Sequence, residues 1–192
     1  MAVMTTEVIK FEEAEAATWP SVDVRDEGGT LEETLAVVPH VWQRIEDHIA
    51  YRWTARQCVW TVQGPGDWRP HLSPVSAVTV ESWDETTKAW SALIAEPIPA
   101  DGFYLPRDKT YRITATVGDT ETAVPQPVVQ AYHRLSGYLS EVALDDKPVG
   151  ATTHSLKLGD GLDESTTRNP NYVARALQYS GAADLLRKYR RL

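Results

Sequence analysis

The sequence predicts an α+β fold, in which helices pack around one long C-terminal core helix and a small antiparallel β-sheet is inserted before it. The long helix is indicated by Val124–Val142, where apolar residues recur at three- and four-residue steps. The sheet is indicated by alternating apolar and polar residues between Thr54 and Val117. After Leu144 the chain lacks a sustained apolar period, so we predict an extended C-terminal arm followed by a terminal helix.

The N-terminal part of the chain is predicted to be helical. The stretch VIKFEEAEAATWP begins with a short apolar run and continues as a first helix that ends before Pro20. Ser21–Gly29 is polar and ends in glycine, which indicates a loop. Thr30 and Glu33 have the spacing of a capping box, which favours the start of a helix at this point.

A second amphipathic helix follows and extends to about Arg52. Proline inside a helix removes a hydrogen bond and clashes with the preceding turn, so we expect Pro39 to kink this helix or split it in two. Its apolar stripe consists of Leu31, Leu35, Val38, Trp42, Ile45 and Ile49.

From Thr54 onward the pattern changes to the alternation of an extended chain. Cys58, Trp60 and Val62 alternate with Gln57, Val59 and Thr61, and this first strand ends at the turn Gly64-Pro65-Gly66. The later predicted strands are Val75–Trp83, Lys88–Ala95, Phe103–Leu105 and Thr110–Val117, with a hairpin turn at Asp84–Thr87.

The long helix is predicted to close the core. Pro125 and Pro127 precede its apolar stripe, at a place where a missing N–H group costs little and a fixed φ angle helps to start a helix. We expect Leu135 and Leu139 to face the sheet. The full stripe is Val128, Tyr132, Leu135, Leu139 and Val142.

The composition is that of an ordinary globular protein. The chain has 192 residues, of which 42% are hydrophobic and 24% charged, as in an ordinary globular protein with one core and appendages. It contains no apolar run long enough to span a bilayer and no secretory leader pattern. Cys58 is the single cysteine, so no intrachain disulfide can form, which suits a reducing compartment, and we interpret it as a small buried apolar residue.

The sequence predicts no enzyme, no cofactor and no metal site. The five histidines do not have metal-ligand spacing beside a cysteine or a carboxylate motif. Gly159–Ser165 resembles a calcium loop only loosely, because it lacks the alternating acids and the closing glutamate. Nucleophile-elbow, phosphate-loop and dinucleotide-binding motifs are absent from the sequence.

Seven tryptophans are many for a chain of this length. Trp42 and Trp60 fall on the apolar faces of their predicted elements, which favours core packing. An aromatic face that binds carbohydrate, another ligand or single-stranded nucleic acid is the alternative. The net charge of −8 argues against binding of free nucleic acid by the core. An enzyme whose site is assembled from dispersed residues also stays open.

The two ends of the chain differ in charge. Residues 1–33 carry nine acidic groups against Lys10 and Arg25, whereas residues 184–192 carry four basic groups against Asp184. Such asymmetry suggests ends that meet different surfaces, although solubility and helix-dipole complementarity explain it equally well. Asn169 and Pro170 are a plausible start for the terminal helix.

The stripe of this terminal helix is interrupted at Ser180-Gly181, and it lies beyond an arm without a core pattern. We therefore predict that it needs a partner outside the chain, and that the tail is mobile in the free subunit and becomes ordered on binding. The stripe consists of Tyr172, Ala176, Tyr179, Ala183, Leu186 and Tyr189.

The order of these pieces resembles the head–tail connector, or adaptor, proteins of long-tailed phages and gene transfer agents. VIKFEEAEAA resembles the opening strand and first helix of that family, and YRWTARQCVWTVQG with LSPVSAVTVESWD resembles its first strands. YRITATVG followed by VPQPVVQAYHRLSGYLSE resembles the final strand and long helix. SGAADLLRKYRR resembles the C-terminal end of the gene-transfer-agent branch, whereas the loop Ser21–Gly29 and Pro39 depart from the family pattern.

The resemblance implies a structural role in a particle neck, assembled in the host cytoplasm, with no membrane. Members of the family are not enzymes. They form a homo-oligomeric ring, usually twelve-fold, below the portal protein, and the ring continues the channel through which DNA leaves without sequence-specific binding. The far side of the ring receives the next neck or tail protein, a stopper or tail terminator.

On this basis residues 1–144 are predicted to form the connector core, and residues 145–192 to form the arm and helix that attach to the portal. The predicted portal-interface residues are Tyr172, Ala176, Tyr179, Leu185, Leu186, Arg187, Lys188, Tyr189, Arg190 and Arg191.

Overall fold

The structure is a computed structural model that describes residues 6–25, 31–35, 37–99, 101–144, 153–158, 162–167 and 171–191. The chain divides into two compact units. The sheet unit comprises Met1–Val37, Ala50–Ala123 and Arg191, and the helical unit comprises Val38–Ile49, Val124–Arg190 and Leu192.

The described strands occur in runs that helices separate, with seven consecutive strands between the first two helices, and the class is α+β as predicted. In chain order they are β1 (Glu7–Glu13), β2 (Val22–Arg25), β3 (Leu31–Leu35), α1 (Pro39–Ile49), β4 (Arg56–Gln63), β5 (Gly66–Trp68), β6 (Val75–Asp84), β7 (Ala89–Leu93), β8 (Glu96–Ile98), β9 (Gly102–Leu105), β10 (Thr110–Val117), α2 (Gln126–Leu144), β11 (Thr153–Leu158), β12 (Leu162–Thr167), α3 (Ala176–Tyr179), α4 (Ala182–Leu186) and a 3₁₀ turn (Arg187–Tyr189).

The main sheet has five antiparallel strands in the order β1-β4-β10-β6-β7. β10 lies at its centre and pairs with β4 along its whole length, with Ile113 opposite Trp60 and Tyr111 opposite Val62. These inward-facing residues are almost completely buried, whereas the alternate residues of β10 are half-buried on the other face. The predicted strands β4, β6 and β10 each contribute residues to this buried face. β7, which was also predicted, has no fully buried residue, and β9 belongs to a smaller sheet.

Smaller sheets accompany the main one. β5, β9 and β8 form a three-stranded antiparallel sheet, and the strands β5 and β8 were not predicted because each is only three residues long. Trp68 and Leu105 from this small sheet join the core of the sheet unit. The remaining core residues are Cys58, Trp60, Val62, Leu72, Val80, Tyr111, Ile113, Ala115 and Val117.

The prediction of N-terminal helices is wrong. Glu7–Glu13 is a strand that pairs antiparallel with β4, with Phe11 opposite Trp60, and no helix lies in residues 6–25. The predicted loop contains β2, and the predicted start of the second helix is β3, which pairs with β2. Glutamate and alanine favour helix locally, but pairing with a distant strand overrides that preference. Thr30 of the predicted capping box lies outside the described residues.

The second helix is shorter than predicted, and Pro39 starts it instead of kinking it. α1 comprises Pro39–Ile49, so its proline occupies the first turn, where no N–H group is needed. Val41, Trp42, Ile45 and Ile49 on this helix are buried, as the predicted stripe requires.

The long helix is present as predicted, shifted by two residues to Gln126–Leu144. The Pro125 carbonyl accepts hydrogen bonds from the N–H groups of Val128 (2.9 Å) and Val129 (3.2 Å), which forms the first turn. Of its stripe, Val128, Tyr132 and Leu135 are buried, whereas Leu139 and Val142 are half-buried.

The arm is not simply extended. Residues 153–167 contain the antiparallel hairpin β11–β12, with Thr153 opposite Thr167 and Leu158 opposite Leu162. The terminal helix is divided into α3, α4 and a 3₁₀ turn, with the break at the predicted Ser180-Gly181. The predicted helix start, Asn169 and Pro170, lies outside the described residues.

Candidate assembly surfaces

The C-terminal segment (residues 171–190) changes direction at one glycine. Gly181 has φ +72°, a left-handed conformation that glycine adopts without steric cost, and it separates α3 from α4. The Ser180 hydroxyl accepts a hydrogen bond from the Ala182 N–H (3.3 Å), which stabilises the start of α4. The stripe therefore continues on two short helices instead of one long one.

This segment packs within the helical unit, contrary to the expectation that it lacks a partner in the chain. α3 and α4 both contact α2, and Ala176, Ala182 and Leu186 are completely buried. The Tyr138 hydroxyl donates to the Tyr172 carbonyl (3.3 Å). Small alanine side chains allow the helices to approach closely. The apolar stripe in the sequence does not indicate which helix it packs against.

The predicted portal-interface residues differ in burial and therefore in what they can contact. Ala176 and Leu186 belong to the packing of the helical unit. Tyr172, Leu185 and Tyr189 are half-buried. Arg191 donates from Nη1 to the Leu72 carbonyl at 3.1 Å. The remaining four are exposed and define what we call the basic face: Tyr179, Arg187, Lys188 and Arg190.

Tyr179 and the three cations of the basic face are all exposed. The Tyr179 side chain is 44% exposed. Lys188 Nζ lies 5.7 Å from the centroid of the Tyr189 ring, a cation–π distance. Burial, followed by the positive charge of Arg190, lowers the pKa of His48 below its ordinary value.

Sequence reasoning missed a buried ion network in the sheet unit. Arg52 donates to both carboxylate oxygens of Glu13, from Nε to Oε1 (2.6 Å) and from Nη2 to Oε2 (2.9 Å), and Arg56 Nη1 donates to Oε1 (3.2 Å). The three side chains are between 5% and 19% exposed. Trp19 lies 5.1 Å from the Arg56 guanidinium carbon.

The Glu13 carboxylate is stabilised in its charged form. Burial alone would raise its pKa, but the hydrogen bond and charge of Arg52, together with Arg56, outweigh burial and lower it. The network holds the end of β1 against residues 52–56, and no local spacing in the sequence could have indicated this contact between segments some 40 residues apart.

A pair of tryptophans lies on the half-buried face of the main sheet. Trp83 and Trp90 are cross-strand partners with ring centroids 5.2 Å apart and edge-to-face geometry. The Arg112 guanidinium lies 4.7 Å from the Trp90 ring centroid and pairs with Glu81 at 2.6 Å. Each of these polar groups therefore has a partner within the sheet.

Beside Trp83 lies a polar cleft of about 390 Å³. Gln63 donates to Asp108 (2.7 Å) and accepts from the Thr110 hydroxyl (3.1 Å), so the polar groups of the cleft are largely bonded to one another. The remaining lining residues are Asp84, Glu85, Thr86 and Lys109.

The described residues offer little for other functions. All seven tryptophans are buried or half-buried, so none presents a fully exposed ring. Within the described ranges, no three His, Cys, Asp or Glu side chains group as metal ligands. No helix in the described part of the chain is long and apolar enough to cross a membrane. Burial and, next, the Glu13 charge raise the pKa of Cys58 to about 11, which leaves its thiol protonated and unreactive.

The chain is similar to a known protein in its fold, not in a recognised sequence family. No protein-family model matches the chain, and no curated protein sequence matches it. Among solved structures, the chain is similar to one in the neck of an empty gene transfer agent (GTA) particle computed with C6 symmetry. The TM-score is 0.50 at 14% sequence identity, over 80% of this chain and 74% of that chain. The likeness shows a shared fold with a neck protein, and the predicted resemblance is confirmed to that extent.

Proposed function

We propose that this chain is a structural subunit of the neck that joins the head of a phage-like or gene-transfer-agent particle to its tail. The observation that carries this proposal is the shared fold with a chain of a GTA particle neck, over 80% of the present chain. The sequence resemblance to head–tail adaptors points independently to the same class. The protein acts by binding other proteins and performs no catalysis.

In this proposal, the subunits form a closed ring below the portal protein, and the next neck or tail protein binds the far side. A ring of identical subunits requires two different lateral faces on each subunit. DNA leaves through the central channel without being retained, because a chain with a net charge of −8 repels phosphate groups. The number of subunits in the family, usually twelve, is the expectation for this ring.

The basic face is the proposed contact with the portal. Arg187, Lys188 and Arg190 are exposed, and arginine and tyrosine are enriched at protein interfaces. Packing of α3 and α4 on α2 supports this role, since it presents these side chains from an ordered segment. The prediction that residues 145–192 form the attachment segment thus remains part of the proposal, with the buried residues of that segment serving to position it.

The test is assembly with the portal protein of the same particle, followed by electron microscopy of the mixture. The wild-type chain should add a ring below the portal. The triple variant Arg187→Ser, Lys188→Ser, Arg190→Ser should fold normally and fail to bind. A matched control, Lys10→Ser, Arg69→Ser, Arg107→Ser, removes the same charge from exposed cations of the sheet unit and should bind like wild type.

Increasing salt concentration sharpens this test. Contacts between exposed charges are screened at high ionic strength, so portal binding should weaken as salt rises. If both triple variants bind like wild type, the basic face is not the contact. If the wild-type chain adds no density to the portal under any condition, the neck function itself is wrong.

The alternative function, an aromatic ligand- or carbohydrate-binding module, has one observation in its favour, the cleft beside Trp83. A glycan array and a tryptophan-quenching titration would detect such binding. A saturable response that Trp83→Ala removes would favour the binding module over the neck subunit.

A further inference from the structure

The two edges of the main sheet differ in how they are protected. Within the described residues, β1 pairs only with β4 at one edge, and β7 pairs only with β6 at the other. A free edge exposes unpaired backbone N–H and C=O groups, and natural proteins protect such edges with charged residues and bulges. The residues of the two edge strands therefore indicate which edge is open to a partner.

The β1 edge is protected in both ways. Its sequence, EVIKFEE, carries four charged residues, and its register with β4 shifts between Val8 and Lys10, so Ile9 is a bulge. Lys10 and Glu12 form an exposed ion pair (2.8 Å) on the strand. A second strand would have to desolvate these charges and follow an irregular backbone.

The β7 edge has neither protection. Its sequence, AWSAL, has no charged residue, and its register with β6 is continuous from Ala89 to Leu93. Ala89, Ser91 and Ala92 are exposed. Ile94, the next residue along the chain, is a large aliphatic side chain that is 101% exposed. An uncharged regular edge that ends in an exposed isoleucine is a template for pairing with another strand.

We propose that the β7 edge pairs antiparallel with the β7 edge of a second copy of this chain, about a two-fold axis at Ser91. The strand sequence is self-complementary about this residue. Trp90 then lies opposite Ala92 of the partner subunit, and Ala89 lies opposite Leu93 of the partner subunit. Each large side chain meets a small one on the same face, and no like charges are opposed.

The existing packing of Trp90 fits this arrangement. Its ring is held by Trp83 and by the Arg112 guanidinium, so it needs no rearrangement to receive a small neighbour. Outside the strand, Ile94 falls opposite Lys88 of the partner subunit. The Lys88 ammonium group is bound to Glu85 of its own chain (2.6 Å), which leaves its methylene stem to cover the isoleucine.

The contact does not depend on the proposed neck function. A two-fold contact uses the same face on both copies and closes as a dimer, whereas a cyclic ring uses two different faces. The β7 dimer is therefore a state of free subunits in solution. Because a single five-residue strand buries little surface, we expect a reversible, concentration-dependent dimer.

The first experiment is sedimentation velocity on the full chain over a concentration series. Wild type should shift from monomer to dimer as concentration rises. In a dimer of Ala92→Lys, each subunit places a positive charge beside Trp90 of the partner subunit, so the contact gains two charges. Dimerisation should therefore weaken at least about tenfold. Thr86→Lys, which adds the same charge on the turn before β7, should dimerise like wild type. Circular dichroism should show that both variants are folded.

The second experiment tests the register. Ser91→Cys should form an intermolecular disulfide on oxidation, since Ser91 meets Ser91 of the partner subunit, while Thr86→Cys should not. Wild type supplies the background, because Cys58 is completely buried. A wild type that stays monomeric, a dimer that Ala92→Lys leaves intact, or equal cross-linking by the two cysteine variants would each overturn the proposal. If wild type forms a larger, ring-sized species that Ala92→Lys loses, the β7 edge is a contact between neighbouring subunits of a ring and not a two-fold contact.

Discussion

The two compact units of this protein bury different kinds of side chain. In the sheet unit the core contains large aromatic rings, among them Trp60, Trp68 and Tyr111, and a buried ion network joins β1 to residues 52–56. In the helical unit the ring centroids of Trp42 and Tyr132 lie 5.0 Å apart, and α3 and α4 contribute two alanines, Ala176 and Ala182, and one larger side chain, Leu186. Apolar stabilisation grows with the area removed from water, and an alanine removes little.

This difference in buried side chains indicates which segments should resist local opening and which should open more easily. The strands β4 and β10 are paired on both sides and covered by aromatic side chains, so they should open only when the whole unit unfolds. The C-terminal segment consists of helices of four and five residues, which are too short to be stable alone. It therefore depends on its contact with α2 for its structure.

The largest effect is expected in the sheet unit, from Glu13→Ala. This change removes the carboxylate that binds the buried guanidinium groups of Arg52 and Arg56, and removing one partner of a buried pair costs about 3–5 kcal/mol. Chemical denaturation measures the loss in the free energy of unfolding. Glu12→Ala is the control, because its ion pair with Lys10 is exposed, and it should cost less than about 1 kcal/mol.

The same network predicts a pH dependence. The pKa of folded Glu13 lies below its ordinary value of 4.5, so its contribution to stability is present above that pH and is lost as pH falls through the folded pKa. The difference in stability between wild type and Glu13→Ala should therefore shrink in acid. A difference that stays constant from pH 7 to pH 3 would show that the carboxylate charge is not what the variant removes.

The next largest effect is expected in the helical unit, from Leu135→Ala. Leu135 is completely buried on α2, and truncation of a buried leucine costs about 2–5 kcal/mol. Leu139, one turn further along, is only half-buried, so Leu139→Ala should cost clearly less, although the sequence predicted equal roles for the two residues. Equal losses in the two variants would contradict the burial of α2 described above.

A smaller effect is expected where α4 meets α2. Ala182→Leu introduces three carbon atoms into a fully buried position and should cost about 1–3 kcal/mol by overpacking. Ala174→Leu, at an exposed position of the same segment, should change stability by less than about 0.5 kcal/mol. Hydrogen exchange on wild type complements this pair. Protection of the α4 amides equal to that of unstructured peptide would restore the original expectation of a mobile tail.

The smallest effect on stability is expected at the basic face. The triple serine variant of Arg187, Lys188 and Arg190 changes exposed side chains only, so its melting temperature should match wild type. The same variant is expected to abolish portal binding, and this separation of stability from binding is what distinguishes an interface from a packing surface. A large fall in melting temperature would assign these residues to the helical unit instead.

Strands and the long helix could be predicted where the pattern is local. Thr110–Val117 alternates cleanly because one face of β10 is buried, and the stripe of α2 repeats at helical spacing for the same reason. The opening strand that the family resemblance implied is present as β1, but the helix predicted after it is absent from residues 6–25. Its glutamates favour helix locally, whereas β1 extends to Glu13 by pairing with a strand that begins some 40 residues later. Leu31–Leu35 failed similarly, because its strand exists only by pairing with β2.

The sequence identified the charged residues of the C-terminal segment, but not which residues of that segment face α2. The cations Arg187, Lys188 and Arg190 are identifiable from sequence, because a cluster of like charges is a local feature. Whether Ala176 and Leu186 face α2 or an external partner depends on Gly181, which turns the segment, and on the position of α2. Neither the network of Glu13 nor the contact of Trp90 with Arg112 has a local signature, so both required the three-dimensional arrangement.

The helical unit is assembled from two distant stretches of chain, and this has a consequence for synthesis on the ribosome. The Val38 N–H donates to the Tyr132 hydroxyl at 2.9 Å, across 94 residues of sequence. At about 5–20 residues per second, α1 is made several seconds before α2. β1 emerges before α1, and the other four strands of the main sheet emerge between α1 and α2, so the sheet can form while the apolar stripe of α1 still lacks α2. Nascent chains that end before Tyr132 therefore display Trp42 and Ile45 to chaperones and proteases, and quality control should remove them as unfinished products.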